Sequence, residues 1–423
     1  MTTMENEKKE IARIAKKYAK VQNLMKYVNQ DTLKEMYKRQ PKNKAVGTDG
    51  MTKEAYGENL DENIEKLLKD MKQFSYRPYP VRKVYIPKGN GKMRGLGIPS
   101  FEDKMVQGVF KEILEAIYET KFLDCSFGFR PGRSCHDAIQ RINKHIMADK
   151  VDYIIDADIK GFFDNIDHDW MIRFLEHDIA DKNFIRYIKR FLIGGVMEDG
   201  KKLETDKGTV QGGLISPILA NVYLHYVLDL WVEHMKKKFR GEIHLVRYAD
   251  DFICMFQYEK EAQAFYKLLI ERLRKFNLEI AEDKSRILPF GRYKGTKESF
   301  DFLGFTHING KSHWGKYCVI HRTSKKKLKQ KRKAVKQWLK ENMHESIPTT
   351  IERLNRKMIG HYRYYGIYGN SIGLWKFYKY VVRQFYFTKR RRDQTSWLTW
   401  KKLNRILKIH PIIRPKIYLT SAY

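Results

Sequence analysis

Two adjacent carboxylates, Asp250 and Asp251, lie in the run Leu245-Val246-Arg247-Tyr248-Ala249-Asp250-Asp251-Phe252-Ile253, with apolar residues on both sides. The pattern predicts two short strands joined by a tight turn at the acids. Like charges held side by side raise each other's pKa, so the pair is costly unless a cation shares it. Hard carboxylate oxygens suit magnesium, with manganese as a possible substitute. Two such ions about 4 Å apart would clamp the attacking and leaving oxygens of a phosphoryl transfer. A solvated turn is the ordinary alternative, because Asp is common in turns.

A two-ion site needs a third carboxylate from elsewhere. Residues 151–159 (VDYIIDADI) predict a buried-type strand carrying Asp152, Asp156 and Asp158. Asp156 and Asp158 fall on the same strand face, so period alone does not choose between them. Asp158 ends the strand close to Gly161, where an acid can face a cleft without being buried. A further segment, 208–217 (GTVQGGLISP), has glycines that let backbone approach a base pair or sugar closely. Such chemistry rests on positioning and charge, so no Ser, Cys or His nucleophile is required. Histidines such as His168 read as packing or helix-start groups.

These residues must be held by strands and helices in alternation. Strands are predicted at 81–86 and 96–98, flanking PKGNGKMRG, a Gly-rich hairpin with Lys88, Lys92 and Arg94. Helices are predicted over 8–38, 52–73, 101–121, from about 168, 216–238, 259–276, 325–342, 349–362 and 373–388. The helix at 216 has a start signal, with Ser216 as cap and Pro217 at the first helical position.

A chain of 423 residues predicts two or three domains, and 42% hydrophobic content supports a real core. Net charge is +33, which implies a polyanionic partner, nucleic acid first and an anionic membrane surface as the other option. The charge is uneven: from Ser324 onward there are 26 Lys and Arg against four Asp and Glu, so +22 of the total lies there. Lys325, Lys326, Lys327, Lys331 and Arg332 form one dense basic helix, and Lys389, Arg390 and Arg391 a second cluster. Trp338, Tyr362, Tyr364, Tyr365, Tyr368 and Trp375 interleave aromatics with that charge, for core packing or for base stacking. No run of 18 apolar residues exists, so no membrane span is expected. The N-terminus lacks a signal-peptide apolar region, and the four cysteines have neither zinc nor disulfide spacing. A reducing, cytoplasmic setting is expected.

The order of motifs resembles a known family. DADIKGFFDNIDH, GTVQGGLISPILANVYL and RYADDFIC resemble the palm of reverse transcriptases, the last being their YxDD box. The fuller set resembles group II intron-encoded reverse transcriptases, or maturases. NKAVGTDGMT resembles their N-terminal extension, and YRPYPVRKVYIPKGNGKMRGLGIPSFEDKMVQ their fingers. SFGFRPGRSCHDAI resembles the segment entering the palm, NLEIAEDKSRIL and FDFLGFTHI the later palm motifs, and LNRKMIGHYRYYGIYGN the maturase thumb, or X domain. The resemblance runs from about residue 24 to the C-terminal segment.

It implies an α+β, right-hand polymerase with antiparallel sheet in fingers and palm, followed by an all-helical thumb. The implied bounds are 1–75 for the N-terminal extension and start of the fingers, 76–150 for the fingers, 151–310 for the palm and 311–423 for the thumb. It picks Asp158 from the strand acids, and gives Asp158, Asp250 and Asp251 two magnesium ions. Lys88 and Arg94 would hold the incoming deoxynucleoside triphosphate. Phe162 or Phe163 would exclude a 2′-hydroxyl, Gln211 would fix the nucleotide, and Lys284 would stand near the leaving pyrophosphate. Implied partners are an RNA template, a DNA or RNA primer, structured intron RNA and a DNA target site, with nucleoid association when DNA is bound. No HNH-type endonuclease is expected after the maturase-like C-terminus. Two other roles fit the same motifs: an RNA-binding splicing cofactor with a vestigial site, or a domesticated reverse transcriptase of a defence or diversity-generating system. Ser216-Pro217 stands where diversity-generating enzymes typically have Ser-Gln, which favours the intron type.

Overall fold

The computed structural model describes residues 3–87, 93–198, 201–203, 206–209, 212–295, 297–391 and 398–419. Lys88 and Gln211 lie outside the described residues. The chain divides into two compact units. Unit 1 comprises 1–138, 155–255 and 260–287, and unit 2 comprises 139–154, 256–259 and 288–423.

Apolar alternation and turn residues set eleven described strands. They are β1 (Val81–Pro87), β2 (Met93–Ile98), β3 (Tyr153–Asp158), β4 (Val196–Glu198), β5 (Lys201–Leu203), β6 (Ile243–Tyr248), β7 (Asp251–Phe256), β8 (Arg286–Pro289), β9 (Ser299–Phe302), β10 (Phe305–Lys311) and β11 (Tyr317–Thr323). Three sheets result, with orders β2-β1-β4-β5, β6-β7-β3-β8 and β11-β10-β9. In the first, β1 and β2 pair antiparallel with Ile86 opposite Arg94, while β1 and β4 run parallel.

In unit 1 the helix expected over 8–38 is two helices, Thr3–Lys17 and Gln30–Arg39. Asparagines stand at the break, a residue type that favours caps and left-handed backbone over helix interiors. Asn23 is left-handed (φ 55°) and opens a 3-10 turn, Leu24–Tyr27. Asn29 then starts the second helix through a capping box, taking the Thr32 N–H at 3.0 Å while the Thr32 hydroxyl takes its own N–H at 3.1 Å. The helix expected over 52–73 is likewise split, into Lys53–Glu58 and Leu60–Lys72.

The core of unit 1 is built around helix Phe101–Tyr118, which is buried on nearly every face. Phe110 stacks on Phe184 at 4.4 Å and meets the Phe191 ring edge-on at 5.6 Å. The helix expected at 216–238 runs through Ser216–Leu224 and Leu230–Lys236, joined by a π turn at His225–Asp229. Such turns insert a residue into the helical ladder and often mark functional positions.

Unit 2 carries β9–β11 and helices Lys325–Glu341, Ile347–Tyr365, Ser371–Arg390 and Trp400–Ile409. The first two start at serine caps, Ser324 and Ser346. Their core gathers Phe305, Leu339, Leu354, Tyr362, Phe377 and Phe385. Four of the six interleaved aromatics belong to this packing: Tyr362 and Tyr365 are buried, and Trp338 and Tyr364 lie against them. Tyr368 and Trp375 are exposed. No described helix is long and apolar enough to cross a membrane.

Candidate active site

The acid pair lies where the alternating pattern places it. β6 ends at Tyr248, Ala249 and Asp250 make the turn, and Asp251 begins β7. Ala249 has φ 56°, a left-handed conformation that costs a non-glycine residue about 1–2 kcal/mol. Asp158 is the last residue of β3, the neighbour of β7 in the sheet. Its N–H donates to Ser285 Oγ at 3.3 Å, and its carbonyl accepts from Ala281 at 2.8 Å. Asp156 faces Arg286, at 3.8 Å.

The electrostatics join the three acids. Burial first, and then the Asp158 charge, push the Asp250 carboxyl above its ordinary range, against its own backbone N–H and the charges of Arg94 and Arg247. The Lys284 ammonium lies 2.9 Å from Asp158 Oδ2. Asp158, and more weakly Asp251, hold that ammonium above its ordinary pKa. A side-chain cation thus sits on Asp158, and carboxylate oxygens are the hard donors that a divalent ion takes.

One positioning device escaped the sequence. Arg247 is fully buried beneath the turn. Its Nε donates to Asp229 Oδ1 at 2.7 Å, and one terminal nitrogen donates to Asp229 Oδ2 at 2.6 Å and Ser126 Oγ at 2.8 Å. The other donates to Asn221 Oδ1 and to the Ala249 carbonyl, both at 3.0 Å. Burial opposes the guanidinium charge, but the Asp229 carboxylate outweighs it and holds the pKa above its usual value. The π turn ends on Asp229, and so supplies this partner.

Gly128 closes the same corner. A Cβ there would meet the Ala249 nitrogen at 2.3 Å, and its carbonyl accepts from Asn221 Nδ2 at 2.8 Å. The next residue, Phe129, is left-handed (φ 58°) and 49% exposed. A bulky residue in that region marks backbone held by its surroundings, often at functional sites.

Phe162 and Phe163 separate cleanly. Phe162 is 2% exposed and packs near Tyr223, so its expected place against a nucleotide is corrected to core. Phe163 is half-buried, with its ring edge-on to Phe162 at 5.4 Å. Its carbonyl accepts from Thr209 at 2.8 Å, and Gly208 donates to the Ile166 carbonyl at 2.7 Å, docking the start of the 208–217 loop beside it. His168, first residue of its helix, meets the Gly208 carbonyl at 2.7 Å. Gly212 is left-handed (φ 115°), and a Cβ there would strike the Gly97 carbonyl in β2 at 2.5 Å. Arg94 is exposed on β2.

In unit 2, Lys325, Lys326, Lys327 and Lys331 are exposed along their helix, as are Arg390 and Arg391 further on. Arg332 is half-buried, 5.1 Å above the Tyr380 ring. Lys389 departs from expectation. It is 1% exposed, and its ammonium donates to the carbonyls of Asn342 (3.3 Å), Met343 (3.0 Å) and Glu345 (2.8 Å). Those carbonyls follow a helix end, where a cation is favoured, so Lys389 is a buried structural tie rather than a phosphate contact.

An acid-ended strand beside an acid-bearing turn, with Arg94 on a strand of the same unit and an edge-on Phe pair following the acid-ended strand, is the arrangement of a nucleic-acid polymerase. The chain belongs to the reverse transcriptase (RNA-dependent DNA polymerase) family, whose sequence profile matches residues 86–307. It is 35% identical over 282 residues to the group II intron-encoded protein LtrA of Lactococcus lactis, covering 62% of this chain and 47% of that protein. It is 27% identical over 308 residues to protein YkfC of Escherichia coli, covering 65% of this chain and 78% of that one. Nuclear intron maturase 2, mitochondrial, of Arabidopsis thaliana is 30% identical over 179 residues, covering 33% of this chain and 24% of that protein. The chain thus spans about half the length of the Lactococcus protein. Reverse transcriptases use divalent metal ions.

Proposed function

We propose that this chain is an RNA-directed DNA polymerase of the group II intron type, copying RNA into cDNA and binding intron RNA as a maturase. The observation that supports the polymerase activity is the placement of Asp158 at the end of β3, beside β7, which begins at Asp251 of the acid turn, with the Lys284 ammonium 2.9 Å from Asp158. Intron RNA as partner is supported by the names of the relatives LtrA and Arabidopsis intron maturase 2. On this basis 76–150 are fingers, 151–310 palm and 311–423 thumb.

Asp158, Asp250 and Asp251 would hold two magnesium ions, or manganese in substitution. Bound there, the ions lower the pKa of the primer 3′-hydroxyl and stabilise charge on the departing pyrophosphate. The chain's own groups do the rest. Arg94 offers a planar fork and Lys88 a point charge to the triphosphate oxygens. Gln211 fixes the nucleotide. Phe163, buttressed by Phe162, presents its ring edge to the sugar and leaves no room for a 2′-hydroxyl. Lys284, 2.9 Å from Asp158, would offer its charge to the departing pyrophosphate. The exposed lysines of helix Lys325–Glu341, with Arg390 and Arg391, neutralise template and intron phosphates.

Extension of oligo(dT) on poly(rA) tests the proposal. Wild type extends; Asp250→Ala and Asp251→Ala abolish extension while RNA affinity stays within about twofold, since neither touches the basic module. Undiminished extension by either variant sinks the polymerase assignment.

A further inference from the structure

The β10–β11 tip carries an aromatic that the polymerase site does not use. Trp314 is 82% exposed, more than any other large apolar side chain described. Isolated exposed apolar residues are ordinary on protein surfaces. This one is set on a rigid stem. The strands stay in register up to Lys311 opposite Tyr317, whose hydroxyl donates to Asn309 Oδ1 at 2.7 Å. Ser312 donates to the Lys316 carbonyl at 2.7 Å, and Gly315 to the Ser312 carbonyl at 3.0 Å. Gly315 takes the left-handed conformation (φ 74°) that lets the tip close. The His313 ring meets the indole edge-on at 5.3 Å.

The surroundings define the ligand. No Asp or Glu occurs from Phe302 to Lys340. Lys311 and Lys316, both exposed, flank the indole. A flat π surface with an exposed lysine on either side of it along the hairpin suits a ring whose neighbouring linkages are anionic. An acidic peptide supplies the charge without the flat partner. A base inside a duplex hides its face, so the nucleotide must be unpaired.

We propose that the β10–β11 tip is a stacking site for an unpaired nucleotide of bound RNA, with Trp314 as the platform and Lys311 and Lys316 on the adjacent phosphates. It rests on the proposed function only in taking RNA as the partner, and does not depend on catalysis.

The test uses the full chain and two labelled RNAs, a blunt duplex and the same duplex with a single-stranded overhang. Trp314→Ala is expected to weaken binding of the overhang RNA about tenfold and to leave the blunt duplex within about twofold. Trp314→Phe should keep most of the affinity. The salt slope should be unchanged in both, because no charge is removed, whereas Lys311→Ala with Lys316→Ala should lower it by about 1.5. Thermal unfolding of Trp314→Ala should match wild type, the side chain being exposed. Equal affinity of Trp314→Ala and wild type for the overhang RNA overturns the proposal. So does an equal loss on both RNAs, or a loss of binding to phosphatidylserine vesicles with RNA affinity intact. Primer extension run in parallel separates the two claims: a chain that never extends, yet shows the overhang-specific loss, refutes the polymerase and retains the stacking site.

Discussion

Phe162 and Phe163 are adjacent in the chain and opposite in environment. The sequence offered two aromatics for one task, and burial separates them: Phe162 fills core and Phe163 keeps an open edge. Phe163→Val should therefore raise ribonucleotide use relative to deoxynucleotide by about 10- to 100-fold, read as the ratio of kcat/KM values. Phe162→Ala should instead cost about 3–5 kcal/mol of stability in denaturant unfolding. Arg247 makes a second case. Ile243, Leu245 and Arg247 share one strand face, and all three are buried. An arginine on a core-facing position signals a buried partner, but its identity was not legible. Asp229 reaches it only because of a π turn that periodicity does not reveal. Removing one partner strands a buried charge, so Arg247→Met should cost about 3–5 kcal/mol. Adding Asp229→Leu should restore most of that stability without restoring extension, because the Ala249 carbonyl has lost its donor. A double variant as active as wild type would remove Arg247 from the positioning of the turn.

At the scale of elements, the strands and hairpins bearing the acids were legible because alternation and turn residues are local signals. Breaks in the helices were not. Asn29 interrupts a run of good helix formers through a side-chain capping bond, and Asn23 through a left-handed backbone, neither of which composition shows. Strand β11 was also missed: its Val319 and His321 are buried only by pairing with β10, a tertiary fact. The acid turn depends on another non-local contact, the approach of the Gly128 segment to Ala249. Gly128→Ala should push the turn away and lower extension about 100-fold, the effect of roughly 1 Å of misplacement. RNA affinity should not change, and retention of full extension would show that the corner yields without moving Asp250.

Across the whole molecule, charge and burial set the response to solution conditions. Most of the net charge lies after Ser324, and its exposed lysines face solvent. Replacing Lys325, Lys326, Lys327 and Lys331 together by Ala should lower the slope of log affinity against log salt by about 3–4 for duplex RNA. An unchanged slope would place the RNA elsewhere. Histidines set the acid limit of unit 2. Burial pushes His321 and His361 down to about 4, and His307 well below its ordinary value. Unfolded histidines take up protons below about 6.5 while these do not, so stability is full above that pH and falls as pH drops toward 4. Each contributes about 1.4 kcal/mol per pH unit in that window. Urea midpoints measured between pH 7 and 4.5 should drop accordingly, and His361→Gln should flatten the fall.

In the proposed function Asp158, not its strand neighbour Asp156, completes the site with Asp250 and Asp251. Single-turnover extension of oligo(dT) on poly(rA) by Asp158→Ala and Asp156→Ala decides it. The geometry predicts no detectable extension from Asp158→Ala and near wild-type rates from Asp156→Ala, whose carboxylate faces Arg286. Extension by Asp158→Ala, or its loss only in Asp156→Ala, would contradict the account.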